Sequence, residues 1–400
     1  MTDSGAHSHL PPLASFDHQP RTRLIFGVGS VGRVGELARE FGAKKVLLVT
    51  DAGLVAAGHA GQVHRILEAA GLAVTVFDKA LENPTTRCVD ECAALARKSE
   101  IELIVGLGGG SSMDTAKGCN FILTNGGRMQ DYWGVGKATK PMLPLIAIPT
   151  TAGTGSECQS SALIADEHTH QKMACLDPKA TARVAILDPA LTVSQPLAVT
   201  AHTGIDAIAH AVETTVTRKR NPLSLMYSHE AFKLTATSLD RALTTPDDLE
   251  ARGRMLLGAA YAGMAIENSM LGAAHAAANP LTAHYDVVHG EAVGLMLPAV
   301  VRFNGQDPAI CQAYAELASA SEIACVSDNV KPAWEALVAR LESLLNAAKI
   351  ARSLADCGVE RSMIKTLAKE ASKQWTATFN PRPLTVDDFA ALYEAAFRPR

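Results

Sequence analysis

Residues 104–117 read IVGLGGGSSMDTAK: a buried apolar run that enters Gly108, Gly109 and Gly110, then Ser111 and a helix. Three glycines let a backbone turn sharply and lie close to a ligand, and the helix that follows offers unpaired N–H groups and a positive dipole end, which suits a pyrophosphate. The pattern is not GxGxxG, and a GGGS turn also occurs where no phosphate binds. Its surroundings supply the context. KKVLLVTD (44–51) and LAVTVFD (72–78) read as strands, with HRILEAAGL (64–72) at helical spacing between them. CVDECAALARKSE (88–100) reads as a helix, and LPLIAIPTT (143–151) and ARVAILDP (182–189) as further strands. Strands alternating with helices predict a mainly parallel sheet covered on both faces.

After about Pro196 the composition changes to Ala-rich segments of helical period at 206–217, 224–243, 249–271, 312–320, 332–347, 363–373 and 385–397. The expected organisation is a leader over 1–20, an α/β dinucleotide-binding domain over 21–195 and an all-helical domain over 196–400. Four hundred residues suffice for two cores. The leader has no basic then apolar pattern of a signal peptide, and His7 and His9 in it read as tail residues.

With 48% hydrophobic and 20% charged residues and a formal net charge of -4, the chain has the balance of an ordinary globular protein. That charge gives no electrostatic reason to expect nucleic acid or an anionic membrane surface as partner. No run of 18 apolar residues predicts a spanning helix. Eight cysteines are scattered without a CxxC pair, which reads as reduced core thiols of a cytoplasmic protein.

Two further loops belong with the glycine turn. PTTAGTGSE (149–157) also leaves a strand end, where ligands of open α/β sheets collect, and Thr150 and Thr151 offer hydroxyls to a phosphate or a carboxamide. Asp51 closes an early strand, where a carboxylate can accept from a ribose and repel a 2′-phosphate, favouring NAD over NADP. In the second half, GIDAIAHAVE (204–213) sets Asp206 and His210 four apart, on one helix face. LGAAHAAANPL (271–281) carries His275 and VVHGEAVGLMLP (287–298) carries His289. A lone histidine on such a helix is usually a core residue. Three with one aspartate in small apolar surroundings point to Fe(II) or Zn(II) rather than calcium or magnesium.

These segments together resemble the iron-containing alcohol dehydrogenase family, within the group that includes glycerol dehydrogenases and dehydroquinate synthases. The resemblance runs from about Phe26 to the last helix through FGVGSVG (26–32), LENPT (81–85), the two loops, the ligand segments and NPR (380–382). It implies an α/β dinucleotide domain joined to an all-α domain and a hydride transfer between NAD(H) and a small alcohol or aldehyde. It implies metal ligands at Asp206, His210, His275 and His289, and cofactor contacts at Asp51, Asn83, Gly108, Gly109, Gly110, Ser111, Asp114, Thr150, Thr151 and Lys172. A homodimer is also implied. Many members carry a further histidine four residues after the third ligand; here Asn279 stands in its place, and His284 and His202 are the histidines available by type. Two rival readings are a hydroxyacid–oxoacid transhydrogenase that retains NAD and a non-catalytic assembly protein. The Ala-rich ligand segments, without cations for carboxylate substrates, favour a neutral substrate, and the intact glycine loop and ligand set argue against the assembly protein.

Overall fold

The computed structural model describes residues 14–169, 171–325 and 329–398. His7 and His9 lie outside the described residues.

Six short apolar runs build the first layer: β1 (Arg23–Phe26), β2 (Lys45–Val49), β3 (Ala73–Phe77), β4 (Leu103–Gly108), β6 (Leu145–Pro149) and β9 (Val184–Leu187). They pair in the order β1-β9-β6-β4-β2-β3, all parallel. β4, β6 and β9 are buried along their whole length, as expected of central strands covered on both faces. The cover comes from α1 (Val34–Glu40), α2 (Ala52–Ala56), α3 (His59–Ala69), α4 (Thr86–Lys98) and α5 (Gly110–Asn125). A small second sheet was not legible in the sequence: β5 (Gly134–Val135), β7 (Ser161–Ala165) and β8 (Lys172–Leu176), in the order β5-β8-β7. Runs of two to five residues are too short to show a period.

From β2 the chain goes outward to β3, then returns to place β4 on the other side of β2. The order of travel thus reverses between β2 and β4. The carboxyl ends at such a reversal leave a crevice, and this one gathers Asp51 after β2, Gly108 at the end of β4 and Thr150 after β6. The amide of Thr150 donates to the Gly108 carbonyl at 3.0 Å, so the two loops leave the sheet side by side.

After β9 the chain is helical: α6 (Leu197–Val216), α7 (Pro222–Ala236), α8 (Leu239–Thr244), α9 (Leu249–Glu267), α10 (Ala273–Tyr285), α11 (His289–Asn304), α12 (Pro308–Ala320), α13 (Lys331–Ala347), α14 (Ile364–Ala371) and α15 (Val386–Ala396). The segment expected as one helix over 224–243 is two, broken at Thr237 and Ser238. Helices α10 and α11 run through Pro280 and Pro298. An interior proline costs about 3 kcal/mol of helix propensity. Here it is offset by burial, since α6, α9, α10 and α11 share one core rich in alanine. Small residues let the helix backbones approach closely: a methyl on Gly204 would meet Leu239 at 2.6 Å, and one on Gly294 would meet Ile205 at 2.8 Å. Close packing is what brings side chains from three helices to a single point.

Candidate metal and dinucleotide site

On α6, positions 206, 210 and 213 are spaced i, i+4, i+7, which is one stripe of a helix. All three residues are buried, and the stripe carries Asp206, His210 and Glu213. Asp206 Oδ1 is 3.3 Å from His210 Nε2, 3.3 Å from His275 Nε2 and 3.8 Å from His289 Nε2. His275 enters from α10 and His289 from the first residue of α11. Around a small cation with bonds of about 2.1 Å, tetrahedral donors stand roughly 3.4 Å apart. The His210 and His275 nitrogens, each 3.3 Å from the carboxylate oxygen, already have that spacing, and the Asp206, His210 and His275 donor atoms lie within 4.8 Å of one another; His289 stands slightly farther out. The residues fit a divalent metal that takes nitrogen and oxygen ligands.

Burial opposes the charge on Asp206, but the surrounding imidazoles outweigh it and hold the carboxyl well below its usual range. Burial likewise pushes His275 down, and Glu213 and Asp206 on its two ring nitrogens reverse this, to about 9. His289 is pushed down to about 3, by burial first. That desolvation belongs to the inward nitrogen, Nε2, which faces Asp206; 35% of the side chain is exposed against 6% for Asp206, so His289 forms the outer wall of the cluster.

Of the other expected residues near the ligands, Asn279 follows His275 by one helical turn and is the partly exposed residue in a buried stretch of α10; its Nδ2 donates to Gln374 Oε1 at 3.0 Å. His284 is nine residues beyond His275, on the opposite side of the helix. It pairs there with Glu370 at 2.8 Å. His202 stands one turn before Asp206 on α6, and its backbone packs under Gly290, beside His289.

At the sheet end, α5 begins at Gly110 after Gly109, with no side chain capping its first amides. Free N–H groups at a helix start are the usual seat of an anion. The glycines have a packing reason as well. A methyl on Gly110 would meet Thr154 at 2.8 Å and one on Gly109 would meet Thr151 at 3.3 Å, while Gly108 has φ +147. The second loop thus leans on the first. It is held by Lys117, a fully buried cation that the sequence reading passed over. Lys117 Nζ donates to Ser156 O at 2.6 Å, Ser156 Oγ at 2.9 Å and Ser161 O at 2.9 Å. Ser156 Oγ in turn donates to Asp114 at 3.1 Å. The only sign of this in the sequence was the i, i+3 spacing of Asp114 and Lys117 on one helix face.

Asp51 uses one carboxylate oxygen to cap α2 through Leu54 N at 3.1 Å, and the other accepts from Ser112 Oγ at 3.2 Å. Lys172, at the start of β8, donates to Asn83 Oδ1 at 3.2 Å. Asn83 has a left-handed backbone, φ 51. Desolvation lowers the Lys172 ammonium below its usual value against the attraction of Asp114 and Asp206. The stem of Lys172 is at the surface, and its ammonium, turned in toward Asn83, is attracted by a carboxylate of the glycine-loop helix and by one of the metal cluster, which places it between the two.

The pattern described as "Iron-containing alcohol dehydrogenase" matches residues 20–189, and "Fe-containing alcohol dehydrogenase family, C-terminal" matches residues 200–397. The NAD-dependent methanol dehydrogenase of Bacillus methanolicus is 36% identical over 372 residues, 93% of this chain and 97% of that protein. Alcohol dehydrogenase 4 of Schizosaccharomyces pombe is 35% identical over 93% of this chain and 87% of its own. The crystal structure of a 1,3-propanediol oxidoreductase superposes with a TM-score of 0.93 at 33% identity, covering 96% of this chain and all of that one. A sheet crevice with an uncapped helix start, a three-histidine and aspartate cluster in the helical half, and matches that span both halves lead to one conclusion: the chain belongs to the iron-containing alcohol dehydrogenase family.

Proposed function

We propose that the chain moves a hydride between NAD(H) and a small neutral alcohol or aldehyde at an iron held by Asp206, His210, His275 and His289, with Zn(II) as the alternative metal. It is an NAD-dependent oxidoreductase of the alcohol dehydrogenase class. The observation that carries the ligand set is the convergence of three Nε2 atoms within 3.8 Å of Asp206 Oδ1. Bound there, the cation supplies Lewis acidity toward the alcohol oxygen, and NAD supplies the redox chemistry.

The residues of the chain do the rest. Gly108, Gly109, Gly110 and Ser111 offer backbone amides to the pyrophosphate, with Asp114 behind them joining the two loops. Thr150 and Thr151 face the same crevice, Asp51 accepts from the adenosine ribose, and Asn83 aims Lys172 toward the cofactor. Asn279, a neutral amide fixed by Gln374, stands one turn from His275 and cannot itself take up a proton at neutral pH. A proton relay, where one operates, uses another group or water. The named relatives act on methanol and on 1,3-propanediol, short neutral molecules, and the alanine-lined ligand helices suit the same class.

We also read the protein as a cytoplasmic homodimer. In support, six of the eight cysteines are buried thiols, and edge strand β1 and the turn after it expose Phe26 and Val28. No described helix is long and apolar enough to cross a membrane.

The test is anaerobic NADH oxidation with a panel of aldehydes and oxoacids, using protein stripped of metal and reloaded with Fe(II) or Zn(II). Turnover of neutral aldehydes that returns with metal is the expected result. Equal turnover by stripped protein, or turnover only when a hydroxyacid and an oxoacid are supplied together, would overturn it.

A further inference from the structure

The stripe on α6 does not end with the two ligands. Glu213, the third member, is only 4% exposed and has no lysine or arginine partner within salt-bridge distance among the described residues. Its two oxygens are both engaged by the start of α10. Oε2 lies 2.5 Å from His275 Nδ1, and Oε1 accepts from the backbone amide of Ala274 at 2.6 Å. The next amide back, Ala273, is taken at 3.3 Å by Asn380 Oδ1, and Asn380 is itself locked to Asn304 by reciprocal amide bonds at 3.1 and 2.8 Å. Gly272 closes the arrangement: a methyl there would meet Asn380 Oδ1 at 3.1 Å and Glu213 Oε1 at 3.2 Å.

Burying a carboxylate costs several kcal/mol unless every lone pair finds a donor. Glu213 therefore has a job specific to its charge. The ring of His275 must give up one of its two protons to hold a cation, and the nitrogen that keeps the other is set by its partner. With a carboxylate against Nδ1, the proton stays there and the Nε2 lone pair points at Asp206 Oδ1, into the cluster. The second oxygen pins the turn from which His275 projects, and the negative charge suits a helix N-terminus.

We propose that Glu213 is a positioning residue for the metal: it selects the His275 tautomer and aims the ring, so that metal retention depends on a residue that does not itself bind the ion. This rests on the metal-site reading above. Outer partners of this kind are worth about 10- to 100-fold in metal affinity.

The experiment titrates full-length, metal-free protein with Co(II) in competition with a chromophoric chelator, and records the visible cobalt bands and NADH binding alongside. Glu213→Gln keeps the volume but presents an NH2 group to one of the two donors. It is expected to weaken Co(II) binding 10- to 100-fold and shift the cobalt bands, with NADH affinity unchanged within about twofold. Asn380→Ala loosens the same helix start without touching the imidazole; it is expected to lower the melting temperature while leaving Co(II) affinity within about threefold. If Glu213→Gln fails to fold, Glu213→Asp withdraws the carboxylate by one methylene and is expected to weaken Co(II) in the same direction. Wild-type affinity and an unshifted spectrum in the folded Gln variant, or in the Asp variant where that one is needed, would overturn the proposal. So would an Asn380→Ala variant that loses metal as badly as Glu213→Gln, because the effect would then be mechanical. A wild-type protein that takes up no cobalt would overturn the metal-site reading itself, and is told apart by the wild-type titration alone.

Discussion

On the proposed function, the sheet end and the helical end of the site recognise their ligands in opposite ways. At the sheet end the recognising groups are backbone amides and short hydroxyls, and the long side chains, Lys117 and Asp114, work behind the loops to hold them together. At the helical end the backbone is sealed in α-helices and recognition belongs to four long side chains from α6, α10 and α11. A backbone site is specified by what must be absent, a Cβ at 108 to 110. A side-chain site is specified by what must be present. The two should therefore fail independently, and differently.

The largest expected effect removes a ligand. Asp206→Ala leaves three imidazoles without their shared carboxylate, and metal affinity and turnover should fall by more than the roughly 100-fold that an outer partner is worth. NADH binding should stay within about twofold by fluorescence titration, because the sheet end is untouched. A joint loss of both would break the comparison.

Next comes Glu157, in the loop between the two ends. Its carboxyl is buried, one oxygen has no partner, and burial raises it from an ordinary 4.5 to about 7. Between those two values the folded protein keeps a proton that the unfolded chain has lost, so stability should fall as pH rises through that window and level off above it. Glu157→Gln should abolish this slope and raise stability at pH 8 by up to about 3 kcal/mol, read by denaturant unfolding at pH 5 and pH 8. A variant with the wild-type slope would show that Glu157 is charged in the folded state at both pH values.

Gly110→Ala pushes a methyl against Thr154 and should weaken NADH about tenfold with metal content unchanged. Smallest is Asp51→Gly, which should narrow the NAD over NADP preference several-fold in kcat/KM. Glycine still tolerates the cap position that Asp51 fills, so folding should survive. An unchanged ratio would remove Asp51 from the ribose and leave it only its cap of α2.

The same contrast governs what is legible in the sequence. Period and glycine placement were enough for β2, β3, β4, β6 and β9, and residue type with i, i+4 spacing was enough for Asp206 and His210. His275 and His289 are 14 residues apart on different helices, so spacing alone could not join them; the family resemblance did, and the packing of α10 on α11 brings them together. Lys117 and Glu213 stood in the quoted motifs without a role, because a buried charge is recognised by its partners, and those lie 39 to 62 residues away in the chain. His284 was available by residue type. Its place on the far side of α10, paired with Glu370, depends on a helix 80 residues later.

The α6 stripe has one more consequence. Two ligands and the carboxylate that aims a third are written on a single helix face, so this helix tolerates substitutions and insertions unequally. Substitutions on its other faces leave the stripe where it is. One extra residue placed between Thr200 and Asp206, with the start of the helix held by the hydrogen bond from Arg252 to Thr200, must be absorbed as a bulge or as a turn of about 100°. In the second case Asp206, His210 and Glu213 leave the cluster together. Length variation in relatives of this chain should therefore gather in the connections around α6, such as 188–196 and 217–221, and spare the helix itself.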